Sequence, residues 1–217
     1  MSPAARPRRE GAVSEAATHR LSLLLRGLRQ LEEEGVGTIS SLGLAHRFGM
    51  NAAQIRKDLA HLGEFGVRGV GYRVAELRAR LGSILGLDRV RVLVIVGAGH
   101  LGQALADSKN FNGDSFRVGA LFDVDGRKVG GRSRTGIPIR DAANLRESVA
   151  ELGAEIGVLA VPAESAARAA RALADAGIRR ILNFAPATIG ALPGATVRNV
   201  DLTLSLETLA IQLPVKG

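Results

Sequence analysis

The feature that most constrains the fold is a glycine-rich turn between an apolar stretch and a helical pattern. Residues 90–96 are Val, Leu or Ile except for Arg91, which is typical of a buried strand, and a helical pattern begins at residue 99. The turn between them is Gly97-Ala98-Gly99-His100-Leu101-Gly102. In this spacing one glycine permits the tight turn, one lets the backbone approach a pyrophosphate, and one lets the helix pack on the strand. The turn therefore predicts a dinucleotide site with the phosphates at the helix N-terminus.

A carboxylate supports this prediction and indicates which dinucleotide binds. Asp123 ends the next strand-like segment, 118–122, and lies 21 residues after Gly102. An acidic side chain there accepts a hydrogen bond from a ribose 2′-OH and repels a 2′-phosphate, so we expect NAD(H) rather than NADP(H). The cofactor site is assigned to the six residues of the turn and to Asp123, although His100 is expected to be exposed and not catalytic. The alternative is that the glycines only tighten a turn and that Asp123 caps a local one.

The rest of the second half alternates between strand-like and helical segments. Apolar segments recur at 118–122, 156–161 and 178–184, and helical patterns at 99–109, 142–152 and 164–176. This alternation predicts an α/β unit over residues 88–200, in which helices cover both faces of a doubly wound parallel sheet. The final segment, 201–217, contains an apolar helical pattern with too few polar positions for a solitary surface helix. We expect that helix to pack on a partner subunit.

The first half, residues 14–87, is predicted to be mainly helical. Leucines at helical spacing lie between residues 21 and 31, a short helix is expected at 42–48, and a third follows Asn51 and ends near residue 62. Asn51 and Gln54 have the spacing of a capping box, in which each side chain bonds the other's backbone N–H. A β-hairpin is predicted at 63–72 and a connecting helix at 74–85. Together these segments indicate a winged helix-turn-helix.

The second helix of this motif has the pattern of an element that reads DNA. Its core-facing stripe is Ile55, Leu59 and Leu62. Donors for bases and phosphates, on the other side of the helix and on the hairpin, are Gln54, Arg56, Lys57, Arg68 and Arg73. Residues 47–73 contain five basic and two acidic side chains, a modest bias. An ordinary solvated helix face therefore remains the alternative to DNA binding.

Charge and composition limit the possible partners. The net charge is +8, and residues 1–87 carry 13 Lys and Arg against 8 Asp and Glu, which favours a polyanionic partner. The chain contains no cysteine, so a redox response requires a bound cofactor. No apolar run approaches the ~20 residues that span a bilayer, and residues 1–13 lack the apolar core of a signal peptide. We expect a disordered basic tail at 1–13 and a cytoplasmic protein.

Over residues 18–213 the chain resembles the Rex family of bacterial redox-sensing transcriptional repressors. The matching stretches are NAAQIRKDL (51–59), GEFG (63–66), RGVGY (68–72), GLDR (86–89), GAGHLG (97–102), FDVD (122–125), AVPA (160–163), ILNFAP (181–186) and VRNVDL (197–202). The resemblance implies a homodimer in which each chain joins a winged helix to a Rossmann domain and exchanges its last helix with the partner. It also implies a repressor of palindromic operators that NADH releases from double-stranded DNA and with which NAD⁺ remains compatible.

The resemblance also assigns roles to individual positions. Residues that match the family's recognition helix and wing are Gln54, Arg56, Lys57, Arg68 and Gly69. Arg26 and Asp201 match an arginine and an aspartate that couple the nicotinamide state to the DNA-binding domain across the dimer. Ser108 stands where better-known members have a tyrosine beside the nicotinamide. Since a serine hydroxyl is shorter and cannot stack, we expect Asp201 to pair differently and the NADH response to be altered.

Two other functions fit part of the pattern. An NAD-dependent dehydrogenase with an accessory N-terminal domain would need an acid or base near the nicotinamide. Three of the four histidines lie in the helical half and His100 lies in the glycine turn, while the only tyrosine, Tyr72, lies in the predicted wing. A dinucleotide-binding scaffold without DNA contact is the other alternative.

Overall fold

The chain divides into two compact units, Met1–Asp88 and Arg89–Gly217. The computed structural model describes residues 14–63, 65–66 and 69–211. The predicted basic tail at 1–13 and the wing residue Arg68 lie outside the described residues.

The first unit is a small helical domain built around leucines. Its helices are α1 (Glu15–Glu33), α2 (Ser41–Phe48), α3 (Ala52–Leu62) and α4 (Val74–Ile84), and its strands are β1 (Thr38–Ile39) and β2 (Tyr72–Arg73). The spacing of the leucines puts one face of α1 into the core. The buried residues on that face are Leu21, Leu24, Leu25, Leu28 and Leu31. They pack with Leu44 of α2, Ile55 of α3 and Leu77 of α4, so burial of one shared apolar face holds the four helices together.

The turn between α2 and α3 is set by two residues. Gly49 ends α2 in the left-handed conformation, with φ of 64°, which a glycine adopts without steric cost. Asn51 caps α3, and its side chain accepts the Gln54 N–H at 3.0 Å. The second half of the predicted capping box is wrong, because the Gln54 side chain donates instead to Asp58 Oδ1 at 2.7 Å. A carboxylate one turn along the helix is a stronger acceptor and takes the amide.

Three residues of the predicted β-hairpin at 63–72, positions 64, 67 and 68, lie outside the described residues, so the hairpin stays a prediction. Strand β2 pairs antiparallel with β1, with Tyr72 opposite Ile39. Gly71 has a φ of 101°, and a Cβ at that position would lie 2.6 Å from the Ile39 carbonyl oxygen. The wing therefore closes on a strand that precedes the helix-turn-helix, and only glycine permits the close approach.

The second unit contains a six-stranded parallel sheet. Its strands are β3 (Arg91–Val96), β4 (Phe116–Asp123), β5 (Ile139–Asp141), β6 (Ile156–Leu159), β7 (Arg180–Asn183) and β8 (Thr196–Asn199). The strand order is β5-β4-β3-β6-β7-β8, and every neighbouring pair is parallel. This is the doubly wound order of a Rossmann fold, in which the chain reverses direction across the sheet between β3 and β6. The prediction of a doubly wound parallel sheet is confirmed, and the edge strands β5 and β8 were not predicted.

Helices cover both faces of this sheet, as predicted. They are α5 (His100–Ala106), α6 (Leu145–Leu152) and α7 (Ala163–Asp175). Alternate residues of β3 point to opposite faces: Val94 and Val96 pack in the core under α6 and α7, and Leu93 and Ile95 in the core under α5. Helix α5 ends at Ala106, three residues earlier than predicted.

The last described helix, α8 (Leu202–Ala210), has no buried residue. Asp201 caps it by accepting the Leu204 N–H at 2.9 Å. Leu202, Leu204, Leu206, Leu209 and Ile211 are each at least 59% exposed. Over the described residues, no helix combines the length and the apolar character that crossing a bilayer requires.

Candidate functional site

The three glycines of the turn after β3 meet different surroundings. Gly97 has a φ of 104°, and a Cβ there would lie 2.7 Å from the Ala160 carbonyl carbon. A Cβ at Gly102 would lie 3.0 Å from the Gly97 carbonyl carbon and still closer to its oxygen. Gly99 has a φ of −77°, and a Cβ there would meet nothing within 4 Å. The fold itself therefore requires the first and third glycines, whereas Gly99 keeps space open.

That open space belongs to a cleft at the carboxyl ends of the strands. The cleft has a volume of about 720 Å³, within the roughly 300–1,000 Å³ that is typical of small-molecule sites. The residues that define it include Gly97, Gly99, Asp123, Lys128, Ser165 and Arg168. It lies where the strand order reverses, which is where open α/β sheets bind their ligands.

The Asp123 carboxylate is the most heavily hydrogen-bonded group of the cleft. Its Oδ2 accepts the Ala98 N–H at 2.8 Å and the Lys128 ammonium at 2.9 Å, and its Oδ1 accepts the Asp125 N–H at 2.9 Å. Burial alone would raise the pKa of Asp123, but the donors from Asp125, Lys128 and Ala98 outweigh it and hold the pKa below its usual range. The side chain is therefore a fixed anion, and it ties the glycine turn to the end of β4.

Two other residues of the predicted cofactor turn do not line the cleft. His100 and Leu101 are exposed at the start of α5, as expected for His100. Lys128, Ser165 and Arg168 line the cleft and were not identified from the sequence. Lys128 lies five residues after Asp123 in a turn rich in charged side chains, and nothing in that local pattern separates it from its neighbour Arg127.

Ser108 lies outside this cleft. It borders a second one, with Asp107, Phe116 and Ile137, near the amino ends of β4 and β5. Its hydroxyl accepts the Asn110 N–H at 3.2 Å. The preceding Asp107 accepts the side-chain hydroxyl of Ser133 at 2.6 Å and that of Thr135 at 2.5 Å. This segment is thereby tied to the loop that precedes β5.

In the first unit, α3 presents one polar face. Ile55 and Leu59 are buried and Leu62 is partly buried, which confirms the predicted stripe. Arg56 and Lys57 are exposed on the other side of the helix. Arg56 donates to the Ser41 hydroxyl at 2.9 Å, so its guanidinium is held beside the start of α2.

A carboxylate fixes the orientation of Gln54. Arg20 donates two hydrogen bonds to Asp58, at 2.6 and 2.8 Å, and Asp58 Oδ1 also accepts the Gln54 amide. The bonds from Arg20, with that from Gln54, hold the pKa of Asp58 below its usual value despite partial burial. Because a carboxylate can only accept, the Gln54 amide nitrogen must face it, which leaves the Gln54 oxygen free to face outward.

The remaining predicted residues lie in separate places. Gly69 is exposed in the wing, with a φ of 83°. Arg26 is exposed on α1 in the first unit, and Asp201 caps α8 in the second. Across the described parts of the chain, no three His, Asp or Glu side chains gather in a way that could hold a metal ion.

Two family models match the chain. One, described as a CoA binding domain, matches residues 89–187, and another, described as a putative DNA-binding protein N-terminus, matches residues 12–60. The first covers most of the parallel-sheet unit and the second covers α1, α2 and most of α3.

Curated relatives match over most of their own length. The redox-sensing transcriptional repressor Rex of Syntrophobacter fumaroxidans is 46% identical over 194 residues, which cover 89% of this chain and 92% of that protein. The repressor Rex 1 of Thermotoga maritima is 45% identical, covering 86% of this chain and 88% of its own. The repressor Rex of Streptomyces coelicolor is 42% identical, covering 96% and 79%.

Solved structures of similar proteins come from the same family as these curated relatives. A crystal structure of RSP with β-NAD⁺ and operator DNA has a TM-score of 0.86 and 36% identity, and covers 94% of this chain and 93% of its own. A crystal structure of RSP with β-NADH has a TM-score of 0.80 and 34% identity, with 94% and 95% covered. RSP is described as a Rex-family repressor.

Proposed function

The chain belongs to the Rex family of redox-sensing transcriptional repressors, and from this premise we propose that it binds operator DNA and is released when NADH binds. The observation that carries the proposal is that one chain contains both required surfaces. The first unit presents a helix-turn-helix with exposed Arg56 and Lys57. The second presents a cleft at the reversal of a doubly wound sheet. A regulator of transcription needs both surfaces, whereas a dehydrogenase needs only the second.

NAD(H) fits the residues of the cleft. The open space at Gly99, into which a side chain would intrude, lets a pyrophosphate approach the backbone. Asp123 is an anion at the end of β4, where a carboxylate accepts ribose hydroxyls. The six residues 97–102 and Asp123 are therefore the proposed cofactor site.

Double-stranded DNA is the proposed partner of α3 and the wing. Lys57 and Arg56 can pair with phosphates or with guanine edges, and Gln54 offers an acceptor and a remaining N–H to a base edge. Arg68 and Gly69 are proposed to reach the backbone from the wing. Because operator DNA lies in the cytoplasm of bacteria, we place the protein there.

A homodimer is supported by helix α8. A nine-residue helix is marginal in water on its own, since its nucleation is unfavourable. Burial of a leucine side chain contributes roughly 1.5–3 kcal/mol, and four leucines of α8 are exposed. We propose that a second copy of the chain covers this helix by exchange of the last segment. Two-fold symmetry of the protein then matches the palindromic operator.

Coupling between the two sites is proposed to involve Arg26, Ser108 and Asp201. Asp201 uses Oδ1 to cap α8, which leaves Oδ2 for a cation, and the proposed partner for it across the dimer is the exposed Arg26 of the other copy of the chain. Ser108 borders a different cleft from the glycine turn, and its short side chain already accepts a local N–H, so we expect it to contribute less than a tyrosine would. By linkage, if NADH weakens DNA binding by some factor, DNA weakens NADH binding by the same factor.

The test is an anisotropy titration of a labelled duplex that the protein has selected from a random library. At fixed salt, NADH should release the duplex at concentrations where NAD⁺ and coenzyme A do not. In a second series over several salt concentrations, Arg56→Ala and Lys57→Ala should each weaken DNA binding and lower the salt slope by about one, and Arg171→Ala on α7 is the matched control. DNA binding that ignores both nucleotides would refute the sensor. Nucleotide binding without DNA binding would favour the scaffold, and consumption of NADH with a carbonyl substrate would favour the dehydrogenase.

A further inference from the structure

Lys128 pairs with the Asp123 carboxylate, which is the group that a bound ribose would need as its acceptor. Its ammonium lies 2.9 Å from Asp123 Oδ2, and its side chain is 37% exposed against 10% for Asp123. The adjacent Arg127 is 91% exposed and pairs with Asp125 instead. Of these two neighbouring cations, only Lys128 lines the cleft.

The acceptor capacity of Asp123 is nearly filled. A carboxylate has about four lone-pair sites, and three donors already use Asp123, two on Oδ2 and one on Oδ1. A ribose diol brings two further donors to a group with about one site left. One of the present donors has to yield before both hydroxyls can be accepted.

The three donors differ in how easily they move. The Ala98 N–H belongs to the turn that Gly97 and Gly102 lock by close packing. The Asp125 N–H belongs to the backbone two residues after the carboxylate itself. Lys128 holds its ammonium on a flexible, half-exposed stem and can withdraw without moving the backbone.

We propose that Lys128 is the displaceable donor of Asp123 and a specificity-determining residue of the cofactor site, where it weakens the discrimination against a 2′-phosphate. The inference rests on the proposed function, since it places NAD(H) in this cleft. Asp123 accepts a 2′-hydroxyl and repels a 2′-phosphate, and Lys128 does the reverse: it competes with the hydroxyl and attracts the phosphate. The ion pair has no net charge, so the preference for NADH is smaller than Asp123 alone would give.

The experiment compares NADH and NADPH binding to the full-length protein by calorimetry, each titrated separately at one salt concentration. Lys128→Met keeps the length of the stem and removes the charge. We expect it to weaken NADPH binding at least fivefold and to leave NADH binding equal or up to about threefold tighter. The ratio of the two dissociation constants should then rise about tenfold, equivalent to ~1.4 kcal/mol.

Two further variants separate this role from a structural one. Lys128→Arg keeps a cation and should return the ratio to within about threefold of the wild-type value. Arg127→Met removes the neighbouring charge and should leave the ratio unchanged. An unchanged ratio in Lys128→Met, or an equal loss of affinity for both ligands in that variant, would overturn the inference. NADH binding by the wild-type protein, and with it the proposed function, would be unaffected. Binding of neither nucleotide to the wild-type protein would overturn both.

Discussion

The glycine turn allows stability and ligand binding to be separated with single methyl groups. In Gly102→Ala the new Cβ lies 3.0 Å from the Gly97 carbonyl carbon and closer to its oxygen, inside a buried turn that cannot yield. Overpacking of this kind costs roughly 1–3 kcal/mol. For a chain of this size 2 kcal/mol lowers the melting temperature by about 4–8 °C. In Gly99→Ala the methyl group meets no protein atom within 4 Å, and the φ of −77° suits alanine. This variant should melt at or slightly above the wild-type temperature, because alanine lowers the entropy of the unfolded chain.

For NADH affinity, in contrast to stability, Gly99→Ala is the variant in which we expect a loss. The Gly99 methyl group projects into the cleft, so we expect NADH affinity to fall at least about tenfold, or ~1.4 kcal/mol. With NADH at about 100 times the wild-type dissociation constant, the stabilisation by ligand should fall from about 2.7 to about 1.4 kcal/mol. Differential scanning fluorimetry with and without NADH measures both quantities, and Gly37→Ala, an open glycine in the other unit, is the control. Wild-type NADH binding by Gly99→Ala, or an equal loss of stability in Gly99→Ala and Gly102→Ala, would refute the division of roles.

Two further predictions concern the dimer and the loop before β5. We expect the wild-type protein to be a dimer in size-exclusion chromatography with light scattering, Leu206→Glu on α8 to be a monomer, and Arg171→Glu to remain a dimer; a dimeric Leu206→Glu would place the interface elsewhere. Asp107 has a pKa of about 2 against an ordinary 3.8, because bonds from Ser133, Thr135 and Arg134 outweigh the burial that would raise it. Its lowered pKa stabilises the fold above pH ~4 by up to ~2 kcal/mol, and this contribution is lost as the pH falls towards 2. Urea unfolding of Asp107→Asn at a series of pH values should lack that part of the acid dependence, and a wild-type slope would contradict the assignment.

The sequence predicted those parts of the fold that short-range patterns determine. Strand β3 is apolar except for Arg91, strand β6 carries no polar side chain, and most of their residues are buried in the sheet. The spacing of the leucines in α1 defines a single buried face. Edge strands β5 and β8 are three and four residues long and contain charged or amide side chains, so their apolar signal is too short to detect. The pairing of β2 with β1 joins Tyr72 to Ile39, a separation that no local pattern encodes.

In the candidate site, too, short-range patterns were predictable from the sequence and contacts set by the packed structure were not. The glycines and Asp123 have a spacing that chemistry explains, and they come together in the structure. Gln54 was identified as a candidate residue and Lys128 was not, but the hydrogen-bond partners of both were beyond such reasoning, because the packed structure determines them. Lys128 pairs with Asp123 rather than Asp125, and Gln54 donates to Asp58 rather than to the helix cap.

The hydrogen bond from the Ala98 N–H to Asp123 links the turn proposed to hold the pyrophosphate with the carboxylate proposed to bind the ribose. The N–H lies between the first two glycines of the glycine turn, and its acceptor is the carboxylate proposed to bind the ribose. The turn geometry and the ribose acceptor are therefore one unit. A substitution such as Asp123→Asn removes the charge that Lys128 pairs with and exchanges one acceptor for a donor beside Ala98 or Asp125. It should therefore weaken pyrophosphate binding as well as ribose recognition. Substitution of Lys128 should adjust the proposed specificity for the 2′ position more cleanly, because Lys128 contacts the carboxylate but is not part of the turn.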